Sequence, residues 1–176
     1  MNRTPIVPKT SADLAAAIIP LLRMSRDIRF VDSYFSANPE KYGCFLESLN
    51  STLAVNGQPN DSTFAIQIHT SNRATIEFIR TKTEALFRKL LSPRQIKVYC
   101  WNGLENGERI HDRFVLTDLG GIESSYGWDN GDPGQTTGLT LLEHESYLYR
   151  WNQYSPTSTA FELAFAPIVI TAGRRS

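Results

Sequence analysis

The sequence predicts an α/β protein built on a mixed, largely parallel sheet flanked by helices. Two observations predict it. Short runs rich in β-branched and aromatic residues alternate with segments whose apolar residues recur every three to four positions, and clusters of glycine, proline and asparagine separate them. The order strand, helix, strand, helix, strand in the first hundred residues then calls for right-handed crossovers between parallel strands. At 176 residues the chain is long enough to bury most of the surface its unfolded form exposes, so one domain over residues 1–176 is expected.

The elements follow in order. Thr10 or Ser11 caps a first helix carrying Leu14, Ile18, Leu21 and Leu22 on one face; Pro20 removes a backbone donor and kinks it before an end near Ser25. Residues 28–35 (IRFVDSYF) have strand composition and length, and Asn38-Pro39 behind them reads as an N-cap with proline at the first helical position. Tyr42, Phe45, Leu46, Leu49 and Leu53 mark the next helix, which the sequence NGQPN at 56–60 stops. Residues 63–70 alternate as a strand, and Ile76, Ile79, Leu86, Phe87 and Leu90 line a helix that ends before Pro93. Residues 95–101 (QIKVYCW) give a third strand. After a turn through Gly107, residues 109–117 give a fourth.

Six of the eleven glycines fall between Asp118 and Leu139, which marks a stretch of unusual backbone angles or close backbone approach. Beyond it, residues 139–142 read as a short strand and residues 147–154 as either a helix or a strand. Residues 161–171 read as a final strand with Pro167 at an edge or bend. There is neither an internal repeat nor a readable domain boundary.

The net charge is zero, which excludes a global field toward nucleic acid or anionic lipid, yet the charges are segregated. Residues 73–97 hold seven basic side chains against two acidic ones, and residues 105–145 hold nine acidic against two basic. The basic run fits the solvated side of an amphipathic helix, with a phosphate-tracking face as the sharper alternative. No apolar stretch approaches the roughly 20 residues that a bilayer span needs, and the first ten residues lack an apolar run of signal-peptide length, so a cytoplasmic protein is expected. Cys44 and Cys100, without metal-ligand or redox spacing, read as buried thiols.

The chemistry concentrates in residues 111–118, His-Asp-Arg-Phe-Val-Leu-Thr-Asp. Equal parity on a strand puts His111 and Arg113 on one side, where an imidazole and a guanidinium meet a phosphate, while Phe114 and Leu116 face the core. Asp118, at the strand end, is free to turn back. This octapeptide resembles the His-x-Lys-x4-Asp motif of the phospholipase D superfamily, with Arg113 in the lysine position, and the upstream order of strands and helices agrees with that fold. The resemblance covers residues 28 to about 130.

It implies a phospholipase-D-like fold and a metal-independent phosphodiesterase, a hydrolase acting as a nuclease rather than on lipid, that works through a phosphohistidine. Carried over, His111 is the nucleophile or acid, Arg113 the phosphate clamp and Asp118 the electrostatic partner of the histidine. Ser124-Ser125-Tyr126-Gly127 stands where the family often has a Gly/Ser segment that helps hold the phosphate, with Ser124 and Ser125 as the phosphate-binding residues. No metal and no cofactor are implied. The family site uses two copies of the motif and this chain has one, which implies a homodimer.

Arginine in place of lysine binds phosphate through a planar fork but is bulkier than an ammonium. The sequence therefore supports an alternative: a non-catalytic phospholipase-D-like module that binds phosphate groups, nucleic acid among their carriers, or a protein partner in a bacterial defence or regulatory assembly. A His-Asp-Arg sequence at this strand is similar to the phospholipase-D-like domain found after microtubule-interacting-and-transport modules, a binding unit.

Asp32, Tyr34 and His69, near strand ends, are expected at the periphery of the site, with a structural role favoured for His69. His144, between Glu143 and Glu145, reads as solvated surface. Asp112, Asp129 and Asp132 raise a metal site, but residues 129–134 (DNGDPG) lack the ligand pattern and terminal glutamate of a calcium loop.

Overall fold

The computed structural model of the chain describes residues 4–55, 65–88, 95–103, 107 and 110–171. A short first strand, β1 (Ile6–Pro8), precedes helix α1 (Ser11–Leu22), whose N-cap Thr10 accepts the Asp13 amide through its side chain. Pro20 sits on the exposed side near the end of α1, and the helix closes two residues later at Leu22. Strand β2 (Asp27–Asp32) leads into two 3-10 turns, Phe35–Ala37 and Pro39–Tyr42, and then into α2 (Gly43–Val55). Asn38-Pro39 thus opens a 3-10 turn rather than the helix itself, and strand structure stops at Asp32 instead of reaching Phe35.

Strand β3 (Ala65–Ser71), helix α3 (Ile76–Phe87) and strand β4 (Gln95–Asn102) complete the two crossover units. Strands β5 (Arg113–Thr117), β6 (Gly120–Ser124) and β7 (Thr136–Leu141) follow, then α4 (His144–Gln153) and two short strands, β8 (Glu162–Leu163) and β9 (Ile168–Thr171).

Among the described residues these strands form one nine-stranded sheet in the order β1-β7-β6-β5-β2-β3-β4-β8, with β9 also on β4. Only β2 with β3 and β3 with β4 run parallel; every other pairing is antiparallel. The sheet is mixed, as expected, but largely antiparallel, which corrects the expectation of a largely parallel one. The reason is connection length. Helices α2 and α3 supply the long crossovers that parallel neighbours require, whereas β5 and β6 are joined by Asp118 and Leu119 alone, a tight turn that returns the chain antiparallel. The glycine-rich stretch contains β6 and the start of β7, and only Gly127 and Gly134 in it have positive φ.

Alternation along the strands builds two apolar layers. On one face Ile28, Phe30, Ile68, Ile96, Val98 and Val115 pack under α1, α2 and α3, with Phe45 against Phe30 at 5.9 Å and against Trp128 at 5.7 Å. On the other face Val31, Phe114, Leu116, Tyr99 and Trp101 pack against Tyr154 and Phe161 beyond α4. Both faces of β5 are therefore buried: Phe114 and Leu116 on one side, Val115 on the other. The two cysteines divide. Cys100 is buried, its thiol pushed up to about 12 by that burial, while Cys44 is exposed on α2, contrary to the expected buried pair. No helix among the described residues is long and apolar enough to cross a membrane.

Candidate functional site

The carboxyl ends of the parallel strands open onto the surface beside the start of β5, the place where sheets of this kind gather polar groups around a ligand. In register, Asp32 at the end of β2 stands opposite Arg113 at the start of β5. Together with Lys9, Tyr34, Lys41, Tyr42, Tyr126 and Asp129 they line a cleft of about 330 Å³. Three segments remote in sequence meet there: the turn after β1, the 3-10 turns after β2, and the loop between β6 and β7.

Tyr34 is 46% exposed, and its ring carries two guanidinium groups. Arg73 lies with Cζ 4.2 Å from the ring centroid and Arg113 with Cζ 5.6 Å from it. Arg73 Nε is held by Ser33 O at 3.0 Å and Ser71 Oγ at 2.9 Å, and Arg113 NH1 donates to Ser125 O at 3.2 Å. Each arginine is thus oriented by a carbonyl and an aromatic face, with further N–H groups of its fork left for a ligand. Lys9 pairs with Asp129 at 2.9 Å. The cleft lining holds three cations against two carboxylates, and Arg73 adds a fourth cation at the rim.

Asp32 is buried. Its Oδ1 accepts the Tyr34 amide at 3.0 Å, and its Oδ2 makes no hydrogen bond of good geometry, with the Tyr42 hydroxyl and the Trp128 amide as nearby donors. Burial raises its pKa above the usual carboxylate range; the Tyr34 amide, the nearby Tyr42 hydroxyl, Arg113 and the Trp128 amide only partly offset this. The same burial, with Asp32 beside it, pushes the Tyr42 hydroxyl up. Trp128, wedged into the core against Phe45, anchors the loop that bears Tyr126, Gly127 and Asp129. Gly127 has φ +84°, and a Cβ there would stand 3.1 Å from Asp32 Oδ2, 3.2 Å from Arg113 Cδ and 3.2 Å from Asp129 Oδ1. Glycine is therefore what lets this loop close over the Asp32–Arg113 pair.

The expected motif is split. Arg113 is in the cleft, but His111 precedes β5, is exposed, and does not line it. Asp118 lies at the opposite end of β5, roughly 17 Å away by strand rise. Its Oδ1 accepts the amides of Arg26 at 2.9 Å and Asp27 at 3.3 Å and so caps the entrance to β2. It does not turn back, because those amides at the strand start need an acceptor. Ser124 is buried and donates to Gly127 O at 3.0 Å; Ser125 reaches Arg113 through its carbonyl, not its hydroxyl. Asp32 and Tyr34 are central to the cleft rather than peripheral.

His69 is elsewhere, on the face covered by α4. Its Nδ1 accepts Trp101 Nε1 at 3.1 Å, so Nε2 carries the proton and donates to Gln67 Oε1 at 3.1 Å. Its ring stacks on Tyr99 at 4.8 Å, and burial holds its pKa well below the usual histidine value. His144 is exposed at the start of α4, as expected. Lys9, Lys41 and Arg73 belong to no motif, and Tyr126 is marked only by its place in the Ser124–Gly127 segment. Arg73 was legible only as one member of the basic run, and Asp129 only as a discarded metal ligand. Two carboxylates of the acidic stretch are each offset by a cation, Asp112 by Arg150 at 3.0 Å and Asp129 by Lys9. Among the described residues no cluster of His, Cys, Asp and Glu could hold a metal ion.

The chain is thus an α/β protein with a mixed sheet and a cationic, aromatic cleft at the carboxyl edge of its parallel strands. No family model and no curated protein matches it. Among solved structures it is similar to TrmBL2, described as an archaeal chromatin protein with a novel mode of DNA binding, at 8% sequence identity and a TM-score of 0.39. The likeness covers 87% of this chain and 51% of that one, so the chain spans about half the length of this neighbour. A likeness of this size carries no argument about fold or activity.

Proposed function

We propose that the chain is a phospholipase-D-like module that binds phosphate groups in the cleft around Arg113, without hydrolysing them as a single chain. The observation that carries this reading is the Tyr34 ring flanked by the Arg73 and Arg113 guanidinium groups above a cleft that also holds Lys9 and Lys41. Planar forks fixed by aromatic and carbonyl contacts suit a tetrahedral oxyanion, because little side-chain freedom is left to lose on binding. Separation of His111 and Asp118 from that cleft supports binding over turnover. Titration with inorganic phosphate, followed by calorimetry or by backbone amide shifts, should show saturable binding that moves Tyr34, Arg113 and Tyr126. Arg113→Ala should weaken it at least about tenfold; equal binding by wild type and variant refutes the assignment.

One observation favours the hydrolytic reading. His111 is exposed, has no hydrogen bond among the described residues, and leaves the same end of β5 as Arg113, so a second copy of the chain has an imidazole to approach. Chelator-resistant cleavage of a generic phosphodiester or of DNA, lost in His111→Ala and accompanied by a dimer in solution, would establish it.

A further inference from the structure

Asp32 and Arg113 are cross-strand partners on one face of the sheet, and opposite charges so placed ordinarily pair. Here they do not: no ion pair joins them, since Arg113 is turned to Ser125 O and the Tyr34 ring. Asp32 keeps one oxygen on the Tyr34 amide, while the other makes no hydrogen bond of good geometry although the Tyr42 hydroxyl and the Trp128 amide lie nearby, in a side chain that lines the cleft and is only 4% exposed. A buried acceptor without a donor is costly. Donor and acceptor therefore stand side by side in the cleft, unspent on each other.

Resting on the reading of the cleft as a phosphate site, we propose that Asp32 selects anions that carry a proton, so that the ligand class is hydrogen phosphate or a terminal phosphate monoester rather than an internal diester or sulfate. In the bound state Arg113 donates to the charged phosphate oxygens, and the remaining phosphate O–H donates to Asp32. The proton stays between phosphate and carboxylate, and no bond to phosphorus forms or breaks. Hydrogen phosphate brings this proton with it, and a monoester dianion takes one up on binding. Sulfate and a dialkyl phosphate have none near neutral pH, and each would set a bare oxygen against a carboxylate. The corner where this happens is closed by Gly127, whose absent side chain leaves the loop room beside Asp32 Oδ2 and Arg113 Cδ.

The test compares inorganic phosphate with sulfate at pH 7.5 and constant ionic strength, where both are dianions of similar size that differ by one proton. Wild-type protein should bind phosphate at least about tenfold more tightly. Asp32→Asn, whose amide can donate to either anion, should gain sulfate affinity and bring the two within about threefold. Equal binding of both anions by the wild type, with both lost in Arg113→Ala, overturns the role of Asp32 while leaving the cleft assignment standing. No binding of either anion overturns both. If Asp32→Asn folds but keeps the wild-type preference, the selectivity does not reside in Asp32 and the proposal fails; if that variant does not fold, the wild-type ratio alone decides.

Discussion

Replacing Gly127 by alanine tests how the cleft is closed. The residue has φ +84°, which costs an L-residue about 1–2 kcal/mol. The added methyl would stand 3.1–3.2 Å from Asp32 Oδ2, Arg113 Cδ and Asp129 Oδ1, and relieving such contacts in a packed region costs about 1 kcal/mol or more. Reduced freedom of the unfolded chain returns about 0.5 kcal/mol. The net destabilisation is about 1.5–2.5 kcal/mol, and for a chain of this size thermal unfolding should move down by about 3–10 °C. Gly134→Ala is the internal control: φ is +87°, yet nothing lies within 4 Å of its Cβ position, so only the dihedral cost remains. Circular dichroism melts of the two variants, read beside phosphate titrations, separate backbone strain from crowding. The reasoning is refuted if both variants melt alike and Gly127→Ala binds phosphate as the wild type does.

Three further outcomes follow from the same geometry. Asp118→Ala should cost about 1–2 kcal/mol in denaturant unfolding, by stripping the acceptor from the Arg26 and Asp27 amides, and should leave phosphate binding unchanged; a loss of binding at unchanged stability would return Asp118 to the site. His69 stays neutral when folded but takes up a proton below about pH 6.5 when unfolded, so the stability it contributes is full above that pH and declines as the pH falls through it. His69→Phe should flatten that part of the pH–stability curve while lowering stability at pH 8 by about 2–4 kcal/mol, because Trp101 Nε1 and Gln67 Oε1 lose their partner; an unchanged acid slope argues against this account. Tyr34→Phe should keep phosphate affinity within about twofold and Tyr34→Ala should lose several-fold, since the ring face, not the hydroxyl, holds the two guanidinium groups; identical behaviour of both variants contradicts the cation–π role.

The crossover half of the fold is legible in the sequence because its strands are β-branched, its helices carry apolar residues at helical spacing, and Thr10 caps the first of them. The later half is not. Gly120-Gly121 opens a strand against its own propensity, and the reason is tertiary: a Cβ at Gly121 would meet Leu116 at 2.8 Å and Leu142 at 2.9 Å, so the closeness of neighbouring side chains selects glycine there. Arg113 was legible because a local motif contains it. Asp118 was misplaced by the same motif, since spacing along one strand says nothing about which end of it a cleft adjoins. Lys9 and Lys41 carry no local signal at all, and Tyr126 only its place in the Ser124–Gly127 segment, because what unites the three is a meeting of three distant turns.

The join between the first residues and the loop after β6 has a consequence for how the molecule comes together. Lys9 exchanges backbone hydrogen bonds with Gly131 and Gln135, at 2.8 Å each, and the backbone amide and hydroxyl of Ser11 both donate to Asn130 Oδ1, across about 120 residues of chain. Contacts of such long range bear the full entropy of loop closure before they return anything, so they form late. During synthesis the chain can fold its α1–β2–α2 layers while this seam is still unmade; only when the 130s emerge does the loop gain its anchor and the cleft its second wall. On the proposed reading of the cleft, binding competence then arrives as one of the last events of folding, and a phosphate held between those walls would act as a stitch across the seam, opposing its reopening.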